Sequence, residues 1–410
     1  MREAIQAVWR NESVRLIAGI ARVTHDIGVA EELAQDALVS ALEQWPEQGI
    51  PKNPGAWLMK AAKWRAIDSL RRARALAPKH QEIARELEER EQRLGEEMER
   101  SFDQVIDDDV LRLLFTACHP ALAIEGRIAL TLRILGGLTT GEIARAFLVS
   151  EKTVGQRITR AKKSLADANV LFETPGGTEL HQRLESVLLV IYLIFNEGYT
   201  ATSGEEWSRA ALVEEALRLA RILVKLTPKE SEAHALLALV ELNSSRSAAR
   251  RGVNGEAVLL SDQNRRLWDR GQIRSGLAAL EEAQRLGGSG GPYALQAAIS
   301  ACHARALTVE DTDWQSIVAL YDALLQVKPS PIVALNRAVA VSMLSGPSAG
   351  LAAVDAIDGL FNYHLYPSVR GDLLMKLGRN AEAREELQRA ISLSENAREK
   401  ELLIEKSNRL

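Results

Sequence analysis

The stretch from residue 138 to residue 165, LTTGEIARAFLVSEKTVGQRITRAKKSL, constrains the fold more than any other part of the chain. Thr139 and Glu142 have the spacing of a capping box, which predicts the start of a helix. Ser150 is a suitable N-cap for a second helix after a short apolar turn. Apolar residues of this second helix recur at three- and four-residue steps, at Val154, Ile158, Ala161 and Leu165. The stretch therefore predicts two short helices joined by a tight turn.

The opposite face of the second helix is polar and basic. At about 100° per residue it carries Lys152, Gln156, Thr159, Arg160 and Lys163, with Arg157 on its flank. Such side chains can reach phosphates or base edges in a duplex, which favours a helix-turn-helix that reads DNA. An ordinary helical hairpin with a solvated basic face stays open as the alternative.

The composition predicts an all-α protein with more than one domain. The chain has 410 residues, of which 46% are hydrophobic, enough to bury a large core. Only 5% of the residues are aromatic, and alternating β-branched runs are scarce. Because the formal net charge is -4, contact with nucleic acid must come from segregated basic faces rather than from a general positive charge.

Several classes of function are disfavoured by what the sequence lacks. The two cysteines, Cys118 and Cys302, are too far apart for a metal knuckle, so we expect buried thiols, no metal site and no cofactor. There is no glycine-rich phosphate loop and no pairing of a nucleophile with a base, which argues against an enzyme. The N-terminus lacks an apolar signal core, and residues 187–195 form an apolar run too short to span a bilayer. We expect a cytoplasmic protein without membrane contact.

Residues 30–45, AEELAQDALVSALEQW, predict an amphipathic helix that ends at Pro46 and Gly49. One side is apolar and the other is acidic and polar. An acidic face of this kind is usually solvated. The more specific alternative is that it binds a partner protein.

The next helix is predicted to begin at Asn53 and Pro54, an N-cap followed by proline. One stripe of it combines basic and aromatic residues, namely Lys60, Lys63, Trp64, Ile67, Arg71 and Arg74. Positive charges can hold phosphates while an aromatic ring stacks on an unpaired base, as single-stranded DNA requires. A partly buried tryptophan beside solvated lysines is the alternative.

The remaining chain consists of an acidic stretch and a long helical half. Residues 79–109 are polar and heavily acidic, which predicts an exposed linker. After an expected interdomain joint at residues 174–178, segments such as LLMKLGRNAEAREELQRAISLSEN are typical of tetratricopeptide helical hairpins. Stacked hairpins predict a curved solenoid, and the concave surfaces of such solenoids commonly bind peptides.

Three of these blocks, AEELAQDALVSALEQW, NPGAWLMKAAKWRAIDSLRR and the helix-turn-helix, occur in an order that resembles extracytoplasmic-function (ECF) sigma factors of bacterial RNA polymerase, within the sigma-70 family. VIYLIFNEGY and SPIVALNRAVAVSMLSGPSAGL are similar to the extension of the group with a C-terminal tetratricopeptide-like domain. The resemblance implies sigma region 2 at 1–76, an acidic linker at 77–108, sigma region 4 at 109–173 and a TPR-like repeat domain at 174–410.

The resemblance also implies partners and site residues. Binding to core RNA polymerase is expected at Leu33, Gln35 and Asp36. Contact with the minus-ten element of promoter DNA is expected at Lys60, Lys63, Trp64, Arg65, Arg71 and Arg72. Contact with the minus-thirty-five element is expected at Lys152, Gln156, Arg157 and Arg160. A peptide or protein partner is expected for the solenoid.

The sequence departs from the family pattern at two positions. Trp64 stands where many members have an asparagine that helps to hold a flipped base, and Leu148 stands where the turn of a helix-turn-helix often has glycine. The leading prediction is a promoter-specificity subunit that directs transcription initiation, with its activity modulated by the C-terminal domain. The alternative is a stand-alone helix-turn-helix regulator whose solenoid senses a peptide. The basic-aromatic helix favours the first, because a stand-alone regulator does not need to open DNA strands.

Overall fold

A computed structural model of the protein describes residues 2–24, 26–62, 64–65, 107–147, 149–168, 170–199, 209–252 and 258–410. Within these ranges every extended regular element is a helix, which confirms the predicted all-α class. None of the described helices is long and apolar enough to cross a membrane. Of the predicted acidic linker, 77–108, only the last two residues fall inside the described ranges.

The chain divides into two compact units, Met1–Val190 and Ile191–Leu410. The predicted division into four parts is finer than this one and stays a prediction. The first unit contains helices α1 (Arg2–Thr24), α2 (Ile27–Gln48), α3 (residues 54–62 and 64–65), α4 (Asp107–Ala117), α5 (Ile124–Ile134), α6 (Thr140–Ala146), α7 (Glu151–Asp167) and the first half of α8 (Gly177–Tyr199).

Helices α1, α2 and α3 form one part of the core of the first unit. Asp26 caps α2 by accepting hydrogen bonds from the backbone amides of Gly28 and Val29. The apolar side of α2 is buried as predicted, and the helix runs to Gln48 before Gly49 ends it with a φ of 81°. Near that end Trp45 packs edge-on against Trp57 of α3, with ring centroids 5.3 Å apart. This contact joins α3 to α2.

Helices α4 to α7 form the other part of that core. Cys118 is fully buried at the end of α4, where its sulfur lies 3.3 Å from Thr131 Oγ1. Burial raises the pKa of the Cys118 thiol to about 12, so it stays protonated. Its burial agrees with the prediction, whereas Cys302 is only partly buried. The beginning of α8 packs on this part, because Arg183 donates to the carbonyl of Phe115 at 3.3 Å and Ser186 donates to the carbonyl of Cys118.

The second unit is a succession of helices in which each helix packs mainly against its neighbours in the chain. It contains the end of α8 and then α9 (Ala210–Leu226), α10 (Ser231–Ser244), α11 (Arg270–Arg285), α12 (Pro292–Arg305), α13 (Trp314–Val327), α14 (Pro331–Ser345), α15 (Pro347–Asp355), α16 (Leu365–Lys376), α17 (Asn380–Leu393) and α18 (Ala397–Asn408). Helical hairpins of this kind are what a repeat array requires. Their assignment to the tetratricopeptide type stays a prediction.

Glycine permits close contacts between these helices. A Cβ atom at Gly276 on α11 would lie 2.7 Å from Leu242 Cγ on α10. The two helices therefore approach at a distance that a larger residue at position 276 would not allow. Between α10 and α11 the chain leaves the hairpin pattern and forms three short 3-10 turns, Ser247–Arg250, Leu260–Asp262 and Arg265–Leu267.

Candidate nucleic-acid interface

Helices α6 and α7 are capped by the residues that the sequence predicted. Thr139 Oγ1 accepts from the amide of Glu142 at 3.1 Å, and Glu142 Oε2 accepts from the amide of Thr139 at 2.8 Å. Ser150 Oγ accepts from the amide of Thr153 at 3.1 Å. These contacts confirm the predicted capping box and second N-cap. Leu148, where the family often has glycine, lies outside the described residues.

The two faces of α7 are separated as predicted. Val154, Ile158, Ala161 and Leu165 are all buried. Lys152, Gln156 and Arg160 are exposed, whereas Arg157 is half-buried. Within the part of the chain that the structure describes, none of these four polar side chains has a hydrogen-bond or ion-pair partner. Their donors are therefore available to phosphates or base edges.

Helix α3 presents a second basic surface, and an aromatic ring stands in it. Lys60 and Arg65 are exposed, and Trp64 is 60% exposed, whereas Trp45 is 1% exposed. Trp64 is thus not the partly buried tryptophan of the alternative reading. Arg65 Nη2 donates to Ser40 Oγ on α2 at 3.3 Å, which helps to fix α3 on α2. Lys63, Arg71 and Arg72 fall outside the residues whose side chains the structure describes.

The acidic face of α2 is an exposed stripe with two valines in it. The stripe consists of Val29, Glu32, Asp36, Val39 and Glu43, all of them exposed and spaced by three or four residues. Val29 and Val39 are 43% and 48% exposed. Sequence reasoning missed these valines, although their spacing relative to Asp36 was the signal that could have found them. A stripe of this composition suits a helical partner with a basic and apolar surface.

The three predicted partner-binding residues of α2 differ in exposure. Asp36 is exposed on the stripe. Leu33 is only 8% exposed, so it belongs mainly to the core, and the side chain of Gln35 donates to Glu31 Oε1. Their contact with a partner stays a prediction, and Asp36 is the member of the set best placed to make one.

Glu31 forms a buried ion cluster that the sequence did not predict. Its carboxylate contacts Arg133 Nε of α5 at 2.7 Å and Lys162 Nζ of α7 at 2.5 Å, although the residue lies on α2. Burial alone would raise the pKa of Glu31, but the hydrogen bonds and charges of Lys162 and Arg133 hold it below its usual value. Glu31 is therefore ionised at neutral pH, and it fastens α2 to the helix-turn-helix.

A second buried carboxylate joins the same two parts of the first unit. Asp109 on α4 is 1% exposed, and it accepts from Arg22 of α1 at 3.2 Å and from Arg112 at 2.9 Å. Two charge clusters therefore hold α1 and α2 against α4, α5 and α7. Since both carboxylates are buried, loss of either would remove a buried countercharge from its ion pairs.

Nothing in the described residues indicates metal chemistry, because no group of three or more His, Cys, Asp or Glu side chains there could hold an ion.

The chain is similar to known families over three separate ranges. Residues 11–76 match the family model described as Sigma-70 region 2, and residues 112–165 match Sigma-70, region 4. Residues 183–284 match a family of unknown function, DUF6596. An uncharacterized protein of Rhizobium meliloti (strain 1021) is 46% identical over 385 residues, which cover 93% of this chain and 90% of that protein.

Proposed function

Because the chain belongs to the sigma-70 family of RNA polymerase sigma factors, we propose that it is an ECF-type member with a regulatory C-terminal half. The family relation makes core RNA polymerase and promoter DNA its partners, and its role is promoter-directed transcription rather than catalysis. In the proposed mechanism α7 holds the minus-thirty-five duplex, and α3 holds the melted minus-ten strand.

The observation that carries this proposal is the state of the basic side chains on α7 and α3. Lys152 and Arg160 are exposed on α7, and no described residue neutralises them. Phosphates can neutralise these side chains, with release of the counterions condensed on DNA. On α3 the exposed ring of Trp64 stands beside Lys60 and Arg65, which supports stacking on an unpaired base.

The polymerase is proposed to bind the exposed stripe of α2. Asp36 supplies charge, and Val29 and Val39 supply apolar area on the same face. The combination suits the partner that the family resemblance implies, the clamp helices of the largest polymerase subunit. A helix face with acids between valines allows both electrostatic steering and apolar packing.

The first unit has a closed conformation, in which Glu31 joins α2 to α5 and α7, and we infer that this conformation changes during initiation. The minus-ten and minus-thirty-five elements lie about 25 base pairs apart, or about 85 Å at about 3.4 Å per pair. A compact unit of 190 residues has a radius of gyration of only about 16 Å. Its two DNA-binding helices cannot reach both elements while Glu31 joins α2 to α5 and α7. We infer that binding to polymerase separates them.

The C-terminal half is proposed to modulate this opening. It occupies more than half of the chain, and it stays at high effective concentration because the same polypeptide carries it. A weak contact made by a TPR-like domain would therefore shift the balance between closed and open forms. Truncation after Val190 keeps Arg183 and Ser186, which pack on the first unit, and should change promoter-directed initiation in either direction.

Reconstituted transcription tests the function itself. Core RNA polymerase is combined with the protein on promoter fragments selected for binding, and run-off transcripts are measured. We expect transcripts that depend on both the protein and the promoter sequence. Duplex binding without initiation would instead support the stand-alone regulator. Equal initiation by the truncated and full-length proteins would remove direct regulation by the C-terminal half and leave the sigma function intact.

A further inference from the structure

The second unit contains a cavity of about 310 Å³ that the promoter-directed function does not use. Side chains from α12, α13, α14, α16 and α18 line it, together with residues from the segment between α10 and α11. Its volume is in the range of small-molecule sites.

The lining includes the buried guanidinium of Arg265, which forms no ion pair with a carboxylate among the described residues. Arg265 is 5% exposed, and its Nη1 donates to the carbonyls of His303 and Ala306, both at 3.0 Å. Its Nη2 donates to Thr312 Oγ1 at 2.9 Å. Arginine has five N–H donors, so these three bonds leave about two unused. Among the described residues Nε is buried and has no hydrogen-bond partner.

His303 adds a second unsatisfied nitrogen to the same lining. Its Nδ1 is buried and has no partner in the described part of the chain, and its ring packs edge-on against Trp314 with centroids 5.3 Å apart. Burial, together with the positive charges of Arg246 and Arg265, lowers the pKa of His303 to about 3. The imidazole is therefore neutral at physiological pH, and one of its nitrogens carries a proton that it can donate.

Much of the lining is apolar, and one group of charged residues in it is mildly basic. Trp314, Val339 and Met343 are among the apolar lining residues. Asp372 is paired with both Lys376 and Lys406, at 3.0 and 2.9 Å, so this group keeps one positive charge beyond neutrality. At about 30 Å³ for each non-hydrogen atom, the cavity holds about ten such atoms.

We propose that this cavity binds a small organic carboxylate with an apolar body of medium length. In this proposal the carboxylate of the ligand lies at Arg265 and His303, and its hydrocarbon chain lies against Trp314 and Met343. Two oxygens match the two unused guanidinium donors and the imidazole N–H. A bound anion also gives the buried Arg265 a charge partner within the low-dielectric interior. Burial of the ligand's hydrocarbon chain against the apolar walls then contributes to binding.

Calorimetric titration of the full-length protein tests this proposal. The probe is octanoate, compared with octan-1-ol and octylammonium, which share its chain but change the head group. We expect one saturable octanoate site per chain, with an affinity at least tenfold higher than for the alcohol and with no binding of the ammonium ion. Equal affinity for octanoate and the alcohol, or no saturable binding at all, would overturn the proposal.

Substitutions in the lining test whether octanoate binds in this cavity. Arg265→Gln should weaken octanoate binding at least tenfold, and Arg266→Gln is its control, because Arg266 is exposed and does not line the cavity. Since Arg265 also holds three acceptors, a second variant, Ser368→Phe, fills the cavity and leaves Arg265 in place. Octanoate binding that survives Ser368→Phe in a folded protein would place the site elsewhere. The titrations contain no polymerase or DNA, so their result is independent of the proposed function.

Discussion

Basic side chains are arranged differently in the two units. On the surface of the second unit several arginines are paired with acids one turn away, such as Arg285 with Glu282 and Arg379 with Glu382, each pair at 2.5 Å. On α7 of the first unit Lys152 and Arg160 are also exposed, but no described acid neutralises them. Arg285 and Arg379 are therefore neutralised within the chain, while Lys152 and Arg160 are left for an external anion.

One helix of the first unit shows the same contrast between adjacent residues. Lys162 is held by the buried carboxylate of Glu31, whereas Lys163 is exposed on the polar face of α7. One side of α7 is thus held by a contact within the first unit, and the other side is exposed. Pairing with an acid, rather than the number of basic residues, therefore separates cations that hold helices together from those available to a ligand.

The largest effect of an ionic contact is expected at Glu31, which pairs with Lys162 of the helix-turn-helix and with Arg133 of α5. Glu31→Gln leaves Lys162 and Arg133 without their carboxylate, and the free energy of unfolding of the first unit should fall by about 3 kcal/mol. The matched control is the exposed neighbour, as Glu32→Gln, with a change within about 0.5 kcal/mol. Urea denaturation measures both. Equal, small losses would mean that the cluster contributes little to the closed form.

The contribution of Glu31 should also depend on pH. Because its pKa is lower in the folded protein than its ordinary value of 4.5, the stabilisation is present above that value and is lost as pH falls through the folded pKa. The difference in unfolding free energy between wild type and Glu31→Gln should therefore shrink below about pH 4.5. A difference that stays constant from pH 7 to pH 3 would contradict a charge-based role.

Charge reversal on α7 should produce the next largest effect. The double variant Lys152→Glu, Arg160→Glu should weaken binding to minus-thirty-five duplex about 100-fold, and the slope of log K against log salt should fall by about 2. Arg285→Glu, which disturbs a paired arginine of the second unit, is the control and should leave binding unchanged. Anisotropy titrations at several salt concentrations measure these slopes. Similar losses for both variants would remove the distinction between the two surfaces.

Much of the DNA-reading element could be predicted from the sequence, because it depends on local chemistry. Thr139 and Ser150 cap helices within their own neighbourhoods, and Val154 and Ile158 follow the helical period. The Glu31 cluster could not be predicted, since Arg133 lies 102 residues away and a helical pattern shows only that Glu31 is polar. For the same reason the sequence left the exposure of Trp64 open. Arg265 likewise depends on contacts with α12 that no local spacing reveals.

A smaller effect is expected at Trp64, and it compares two tryptophans of the first unit. Trp64→Ala should weaken binding of single-stranded minus-ten DNA to the polymerase complex by about 1–3 kcal/mol, with little change in stability. Trp45→Ala, by contrast, removes a ring that is 1% exposed and should cost about 3–5 kcal/mol of folding free energy. Titration with a fluorescent oligonucleotide measures the loss of DNA binding, and denaturation measures the loss of folding free energy. Destabilisation by Trp64→Ala would indicate a packing role instead.

The smallest effect is expected on the acidic stripe of α2. Asp36→Arg should weaken binding to core RNA polymerase about tenfold, or about 1.4 kcal/mol, because it opposes a basic clamp surface. Glu281→Arg, an exposed acid of the second unit, serves as the control. Competition binding against a labelled wild-type chain gives both affinities. Unchanged affinity in a folded Asp36→Arg protein would place the polymerase interface on another face.

Permanganate reactivity of promoter thymines tests whether the basic surfaces of α7 and α3 act on promoter DNA together with polymerase. Thymines around the minus-ten element should become reactive only when the chain, core RNA polymerase and promoter are all present. In that mixture the Lys152→Glu, Arg160→Glu variant should lose the signal, and Arg285→Glu should keep it. Upstream duplex binding with no polymerase-dependent thymine reactivity would contradict the account and favour a stand-alone regulator.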